Sequence, residues 1–416
     1  MVRRIFPVGV LAVVASAIVL APSAAAYTFG PTVQPVGPEQ TVFDWSTQRC
    51  NENFAADSPA RAWRDSSNQV HLTISSNASY QMIGSSLNTV AVNCGIALQS
   101  HFNADPSTYD DQEWLHSPYT LDGTKVFALV HDEYHGWEHP GMCSGSGGPT
   151  ITPKVLTIPA AGFNPGCWYN AITLASSTDK GYTFTQTAPP SHLVASSPYT
   201  YAQSDGAYGY FTPSNIIRRS DGYFYSMVQA EPHLAQQAGA CVIRSKNPVN
   251  PTSWRAWDGT GYNVQFINPY TNPQPPEQHV CTPVAFPEIE KMVQSLTFNS
   301  YFGKYLLVGQ TSDWDPVRQE FVYGVYYSTS DDLINWSHRQ LLMEAELTWS
   351  YQCGDDNPIA YPVLLNPGGA TPDTTTAGRN FENTSRQTYL YFTRFNYSNC
   401  QQNFDLDLIR IPIRFL

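Results

Sequence analysis

The chain has 416 residues and a formal net charge of −12, and aromatic and charged residues each make up 13% of it. This acidic balance excludes nucleic acid and anionic membrane surfaces as partners, because both require basic patches. Few charges and many aromatic residues favour a loop-rich extracellular β protein, a class in which one domain can reach this length.

The N-terminus predicts a secretory signal peptide over residues 1–26. Arg3 and Arg4 precede the apolar segment 8–20, and Ala24 to Ala26 supply small residues for cleavage before Tyr27. An uncleaved membrane anchor is the alternative, but the apolar segment is short for a membrane span. We therefore expect a secreted, extracellular protein whose single domain covers residues 27–416.

A hairpin pattern recurs along the mature chain. Each copy combines a short strand, a turn and a second strand rich in Tyr, Phe and Val, and Asp-Gly at 122–123 and 221–222 is a strong hairpin signal. Repeated hairpins predict the radial repetition of a β-propeller. The five copies begin at Ser58, Ser117, Pro213, Gln294 and Asn357.

These five copies predict an all-β fold, a single five-bladed β-propeller. Six blades are the alternative, because residues 232–293 have room for two further strands. Residues 41–45 predict a strand that closes the ring, and the alternating apolar residues of 406–415 predict the final strand. A propeller places loops from every blade around one central pocket.

Eight cysteines in an exported chain predict disulfides. Pairing sequence neighbours would give Cys50–Cys94, Cys143–Cys167, Cys241–Cys281 and Cys353–Cys400, although eight cysteines allow 105 connectivities. No CxxC or HExxH motif is present, so we predict no metal site and no cofactor. A structural calcium ion is compatible with this interpretation.

Turn motifs carry a family resemblance. Residues 176–184 (SSTDKGYTF) resemble the Asp-box turn of sialidases, and residues 328–336 (STSDDLINW) resemble a turn of the five-bladed β-propeller glycoside hydrolases of the arabinanase/xylosidase and invertase-type clans. The resemblance implies a propeller that acts on glycans, and it gives these turns a structural role. Neither an Asn-Asp-Pro nor a Glu-Gly-Pro motif occurs where those clans have one.

The candidate site is therefore assigned by position. Strands that end at the pocket should present polar side chains there, and the richest such segment is 131–139 (HDEYHGWEH). Period-2 alternation places Asp132 on one side of the strand and Glu133 and His135 on the other. A polar loop with buried ion pairs is the alternative interpretation. A metal site formed by the three histidines of the segment would need a helix, which Gly136 and Pro140 oppose.

Residues of other blades complete the candidate site. Glu231 ends the equivalent strand of the third blade, so we predict that it and either Glu133 or Asp132 form a catalytic carboxylate pair. The predicted substrate-binding residues are His131, His135 and Trp137, with Asp57, Arg61 and Asp356 near inner strands.

Paired carboxylates and aromatic rings predict a secreted glycoside hydrolase that acts on an extracellular poly- or oligosaccharide. The alternative is a non-catalytic, lectin-like propeller, which would use the same rings and polar groups without a carboxylate pair. We expect a monomer whose partner is carbohydrate.

Overall fold

The backbone of this protein consists almost entirely of β-strands and loops. The computed structural model describes residues 32–143, 150–152, 155–157, 166–203, 206–368 and 373–416, so the predicted signal peptide lies outside the described residues. Within these ranges the only α-helices are α1 (Trp45–Gln48) and α2 (Thr376–Arg379). No helix there is long and apolar enough to cross a membrane. The all-β prediction is confirmed.

The described ranges contain 26 strands and three short 3₁₀ turns, at Gly136–Glu138, Pro251–Ser253 and Pro276–Gln278. In chain order the strands are β1 Val33–Pro35, β2 Gln40–Phe43, β3 Ala62–Arg64, β4 Val70–Ser75, β5 Ala78–Gly84, β6 Ala91–Gln99, β7 Gln112–Thr120, β8 Val126–His135, β9 Thr150–Thr152, β10 Val155–Thr157, β11 Trp168–Ser177, β12 Thr185–Gln186, β13 Leu193–Ser196, β14 Tyr208–Phe211, β15 Ile217–Arg218, β16 Phe224–Glu231, β17 Gly239–Ser245, β18 Arg255–Ala256, β19 Ser295–Asn299, β20 Lys304–Asp315, β21 Glu320–Ser330, β22 Gln340–Glu344, β23 Ile359–Leu365, β24 Asn383–Thr384, β25 Gln387–Phe395 and β26 Leu406–Phe415.

These strands pair as five consecutive antiparallel units. The first unit is β3 to β6, and the second is β7, β8 and β11 with β12 and β13 along β11. The third is β14 to β18, the fourth is β19 to β22, and the fifth is β23, β25 and β26. A parallel pair between β11 and β14 joins the second and third units into one sheet. Residues 232–293 contain only β17 and β18, so this segment adds no further unit.

The chain closes on itself at the fifth unit. Both β1 and β2 pair antiparallel with β26, so the N-terminal strands complete the sheet that contains the C-terminal strand. This confirms the predicted closing strand, with one difference at its end. The strand stops at Phe43 because the Asp44 side chain accepts a hydrogen bond from the Thr47 amide and caps α1.

Five apolar clusters lie between the units and make the fold a closed β-propeller. Each cluster contains buried residues from two consecutive units, and one of them joins the fifth unit to the first. Every sheet is therefore covered on both faces. Representative buried pairs, from the first interface to the last, are Trp63 and Leu115, Phe127 and Phe224, Met227 and Leu307, Val308 and Leu364, and Leu408 and Leu72.

Strand β8 shows how the sequence produces this packing. Val126, Ala128 and Val130 belong to the cluster shared with the first unit, whereas Phe127 and Leu129 belong to the cluster shared with the third. Successive side chains of a strand point to opposite faces, so both faces of this strand need apolar residues. The same alternation continues into the polar end of the strand.

Disulfides and side-chain-capped turns fix loops of the units. The four bridges are Cys50–Cys94, Cys143–Cys167, Cys241–Cys281 and Cys353–Cys400, which is the predicted pairing of sequence neighbours. In the Asp-box turn, Asp179 accepts hydrogen bonds from the Ser177 hydroxyl at 2.6 Å and the Thr183 amide at 3.0 Å. Gly181 supplies the positive φ of 95° that this turn requires.

Candidate active site

The polar end of β8 holds Glu133 between two histidines. Its Oε1 lies 3.2 Å from His131 Nδ1 and its Oε2 lies 2.9 Å from His135 Nε2. Only 15% of the Glu133 side chain is exposed. Burial by itself raises the pKa of Glu133, but the charges and hydrogen bonds of the two histidines outweigh burial and lower that pKa. Glu133 is therefore held as a carboxylate.

The same contacts affect the two histidines differently. Burial lowers the pKa of His131 despite the opposing charge of Glu133. For His135, burial also acts to lower the pKa, but hydrogen bonds to Glu133 and Glu138 raise it to about 9. His135 is thus a cation at neutral pH, and it compensates the charge of Glu133 inside the protein.

Asp57 is a second carboxyl group, and the charge of Glu133 acts on it. It lies just before the inner strand of the first unit, and the Tyr361 hydroxyl donates a hydrogen bond of 3.1 Å to its Oδ1. Burial, together with the negative charge of Glu133, raises the pKa of Asp57 to about 7, although the Tyr361 bond and His135 oppose this. Asp57 therefore retains its proton over a pH range in which Glu133 is ionised.

Residues from all five units contribute to the surroundings of this pair. Asp57 comes from the first unit, Glu133 from the second and Tyr361 from the fifth. From the fourth unit, Gln310 Oε1 accepts a hydrogen bond of 3.0 Å from the Tyr361 amide. From the third unit, the Phe211 ring lies 5.5 Å from the His131 ring. The pocket is thus the place where the units of the ring meet.

Aromatic rings form one wall of the pocket. The Trp137 ring stacks on His135 at 4.3 Å, with an interplanar angle of 21°. Trp168 lies 6.0 Å from His135 and 5.2 Å from Phe211. Such rings offer apolar faces together with a polar tip, which suits the binding of a molecule with both apolar and hydroxyl surfaces.

Asp132 faces the opposite side of β8, as the alternation predicts. Its carboxylate is buried and accepts a hydrogen bond of 2.9 Å from the Asp111 amide. Burial, reinforced by the charge of Glu113, raises the pKa of Asp132 well above its ordinary value. Asp132 therefore lies at the interface with the first unit, away from the pocket that holds Glu133.

Glu231 has a different set of neighbours from Glu133. It ends β16 opposite Gly209. Burial raises its pKa, Lys291 opposes the shift, and Glu290 adds to it. Among the described residues, neither Glu133 nor Asp57 is one of the charges that act on Glu231. The pairing of Glu231 with Glu133 remains a prediction from position.

Arg61 forms side-chain hydrogen bonds that link the first unit to the second and third units. Its side chain is 2% exposed, and it donates hydrogen bonds to the His116 carbonyl at 2.8 Å and the Pro213 carbonyl at 3.3 Å. Burial lowers the pKa of this guanidinium to about 9. These contacts hold inner segments of the first, second and third units, so they account for a charged residue next to an inner strand.

Two further residues of the sequence analysis are Asp356 and His139. Asp356 is exposed and lines a groove of about 520 Å³ between the fourth and fifth units, together with Glu39 and Arg394. His139 Nε2 lies 2.9 Å from Asp111 Oδ2, on the Asp132 side of the strand. His139 therefore does not join His131 and His135 around Glu133.

Sequence reasoning missed Tyr361, Gln310 and Phe211 as parts of the site. Tyr361 has a φ of 58°, an uncommon value for a residue that is not glycine, and the register of β23 shifts between Ala360 and Val363. The signal in the sequence is Pro362, because a proline within a strand marks an irregularity in the hydrogen-bonding ladder. Backbone outliers of this kind concentrate at functional sites.

No protein-family model matches the chain, and no curated protein matches it. Among solved structures, the chain is similar to a putative glycoside hydrolase from Bacteroides ovatus, with 11% identity, coverage of 90% of this chain and 96% of the other, and a TM-score of 0.45. An α-L-arabinanase from Cellvibrio cellulosa complexed with arabinohexaose has 9% identity, coverage of 84% and 91%, and a TM-score of 0.40. A sucrose-6-phosphate hydrolase from Lactobacillus gasseri has 10% identity, coverage of 85% and 58%, and a TM-score of 0.46.

Proposed function

We propose that this protein is a secreted glycoside hydrolase that cleaves an extracellular poly- or oligosaccharide with Asp57 and Glu133. One observation carries the proposal: Asp57 and Glu133, whose charges act on each other, have pKa values shifted in opposite directions, to about 7 for Asp57 and below the ordinary value for Glu133. Glycoside hydrolysis needs one protonated and one ionised carboxyl group beside the same bond.

The environments of the two groups assign their roles. Asp57, whose pKa of about 7 leaves about half of it protonated at neutral pH, donates its proton to the glycosidic oxygen while the bond from that oxygen to the anomeric carbon breaks. Glu133, held ionised by His131 and His135, either removes a proton from an attacking water or attacks the anomeric carbon itself. In the second course a water molecule deprotonated by Asp57 then breaks the bond between Glu133 and the sugar and releases the product. The distance between the two carboxyl groups in the complex with substrate selects between these courses.

The other residues of the pocket position the reacting groups. Tyr361 fixes the orientation of the Asp57 carboxyl group through its hydroxyl. Trp137, Trp168 and Phe211 provide ring faces on which sugar rings can stack. A lectin-like propeller would use such rings equally well, but it has no need for two carboxyl groups in opposite protonation states.

Secretion rests on the N-terminal sequence and on the cysteines. The predicted signal peptide directs export, and the eight cysteines pair as four disulfides, which form and persist in oxidising compartments. We infer that the mature protein begins near Tyr27 and encounters its glycan outside the cell.

The test is a hydrolysis screen with the purified mature protein. We expect products from at least one of arabinan, xylan, fructan and sialoside substrates, with turnover lost in Asp57→Asn and Glu133→Gln. The matched control is Asp331→Asn, because Asp331 is an exposed carboxylate paired with Lys304 on the surface. Glycan binding without any product would contradict hydrolysis and would favour the lectin-like alternative.

A further inference from the structure

A second polar cluster lies between the first and second units, on the face of β8 opposite Glu133. His101 Nδ1 is 2.8 Å from Asp110 Oδ1 and 2.8 Å from Glu113 Oε2. A ring nitrogen carries at most one hydrogen, which can point at only one of these oxygens. One nitrogen and two oxygens from three residues, all within 4.8 Å of one another, converge as the ligands of a metal ion do.

The buried end of this cluster has an acceptor that is not used. The Glu113 side chain is fully buried, and its second oxygen, Oε1, accepts no well-formed hydrogen bond from the described part of the chain, although the Gln186 side chain lies close enough to affect this carboxylate. Buried polar atoms almost always have partners, and a buried carboxylate oxygen without one is costly. This oxygen belongs to the same carboxylate that contacts His101, so a cation between the three residues would also compensate it.

We propose that His101, Asp110 and Glu113 bind a divalent transition-metal ion that ties the first unit to the second. His101 follows the last strand of the first unit, and the two carboxylates lie at the start of β7 in the second. One imidazole and two carboxylates suit Zn²⁺ or Mn²⁺ better than Ca²⁺ or Mg²⁺, which prefer oxygen ligands. The His101 side chain is 56% exposed, so the ion can enter from solvent.

His338 provides a matched comparison within the same chain. It also contacts two carboxylates, Glu288 and Asp313, but through its two different ring nitrogens. Each of those oxygens thus faces a ring nitrogen of its own, and among the described residues neither nitrogen is shared between two carboxylates. His338→Ala removes a histidine between two carboxylates without changing the proposed metal ligands.

The experiment uses the full mature chain, freed of metal with a chelator and titrated separately with Zn²⁺, Mn²⁺ and Ca²⁺ by calorimetry. We expect about one equivalent of Zn²⁺ or Mn²⁺ to bind, with affinity reduced at least tenfold in His101→Ala and in Glu113→Gln but unchanged in His338→Ala. Glu113→Gln keeps the shape of the side chain, so circular dichroism should show it folded.

A second measurement separates binding at this cluster from binding elsewhere. Saturating Zn²⁺ should raise the melting temperature of the wild type and of His338→Ala, because an ion that binds only the folded state stabilises it. The rise should be absent in Glu113→Gln. The proposal is overturned if the wild type binds neither Zn²⁺ nor Mn²⁺, if only Ca²⁺ binds, or if both ligand variants retain the wild-type affinity.

Discussion

The two faces of strand β8 present adjacent carboxyl groups with opposite properties. Asp132 and Glu133 are neighbours in sequence, and both are largely buried. Yet the pKa of Asp132 is raised well above its ordinary value, whereas that of Glu133 is lowered. Burial raises the pKa of both groups, and the neighbouring charges make the difference. Other carboxyl groups lie near Asp132, whereas two histidines contact Glu133.

This difference shows that burial alone does not decide the protonation state of a carboxyl group. Desolvation raises the pKa on both faces, and the sign of the net shift depends on which charges lie within a few ångströms. Because side chains alternate along a strand, one step in sequence moves a residue from one interface of the propeller to another. The proposed hydrolysis therefore belongs to the Glu133 face, and the proposed metal site belongs to the Asp132 face.

The largest expected effect of this assignment is on turnover. Glu133→Gln removes the ionised carboxylate, and we expect the rate of hydrolysis to fall by about 10²–10⁴-fold, as for other acid–base groups. Asp132→Asn lies on the opposite face, and its rate should stay within a few-fold of the wild type. Steady-state kinetics on the substrate found in the screen measure both. The reverse ranking would show that the faces are assigned the wrong way round.

The pH profile should reflect the pair in the pocket. Hydrolysis needs protonated Asp57, whose pKa is raised to about 7, so kcat/KM should fall as the pH rises through about 7. It also needs ionised Glu133, whose pKa is lowered, so activity should be lost on the acid side only below the ordinary glutamate range. The profile is measured with wild type and Asp57→Asn. A wild-type profile that stays flat from pH 6 to pH 9 would exclude Asp57 as the acid.

The stability of Asp132→Asn tests the other face. The folded pKa of Asp132 is above its unfolded value, so its contribution to stability is complete below the unfolded pKa and is lost as the pH rises toward the folded pKa. Replacement by the uncharged Asn should therefore stabilise metal-free protein at pH 7. The gain in the free energy of unfolding should be about 1.4 kcal/mol for each unit by which folding raises the pKa of Asp132. The gain should vanish near pH 3. Urea unfolding at the two pH values measures it, and a destabilised variant at pH 7 would contradict the account.

The smallest expected effect concerns the aromatic wall. Trp137→Ala removes the ring that stacks on His135 and offers a face to sugar rings. We expect KM to rise by about threefold to tenfold, which corresponds to roughly 1 kcal/mol of binding free energy, with kcat much less affected. Exposed Trp349 lies outside this wall, so Trp349→Ala is the matched control. Equal KM values for Trp137→Ala and the wild type would show that the Trp137 ring does not contribute to substrate binding.

Local patterns in the sequence predicted much of this architecture. The alternation of β8 and the strand from Gln40 that closes the ring follow from spacing and residue type. The pairing of neighbouring cysteines was one of 105 connectivities that the sequence allows, and the structure selects it. The separation of Asp132 from Glu133 follows from the same alternation. These features depend on residues that are close together in the chain, or on the two ends of the chain, which meet where the ring closes.

The carboxyl pair could not be predicted in the same way. Asp57 and Tyr361 are 304 positions apart, and their contact depends on the closure of the ring and on the unusual backbone at Tyr361. Position along the strands favoured Glu231 as the partner of Glu133, because strand ends of consecutive units look equivalent in sequence. The distances and charges around each strand end, which differ between units, are properties of the folded chain.

The central claim is that Asp57 acts as the acid and Glu133 as the partner that attacks or activates water. The most direct test compares each variant on the natural glycan and on a synthetic glycoside of the same sugar with a dinitrophenyl leaving group, which departs without protonation. Asp57→Asn should lose kcat/KM by orders of magnitude on the glycan yet keep most of it on the synthetic substrate, because kcat/KM reports the step in which the leaving group departs, whereas Glu133→Gln should lose it on both. Equal losses of Asp57→Asn on the two substrates, or full activity of Glu133→Gln on either, would contradict the account.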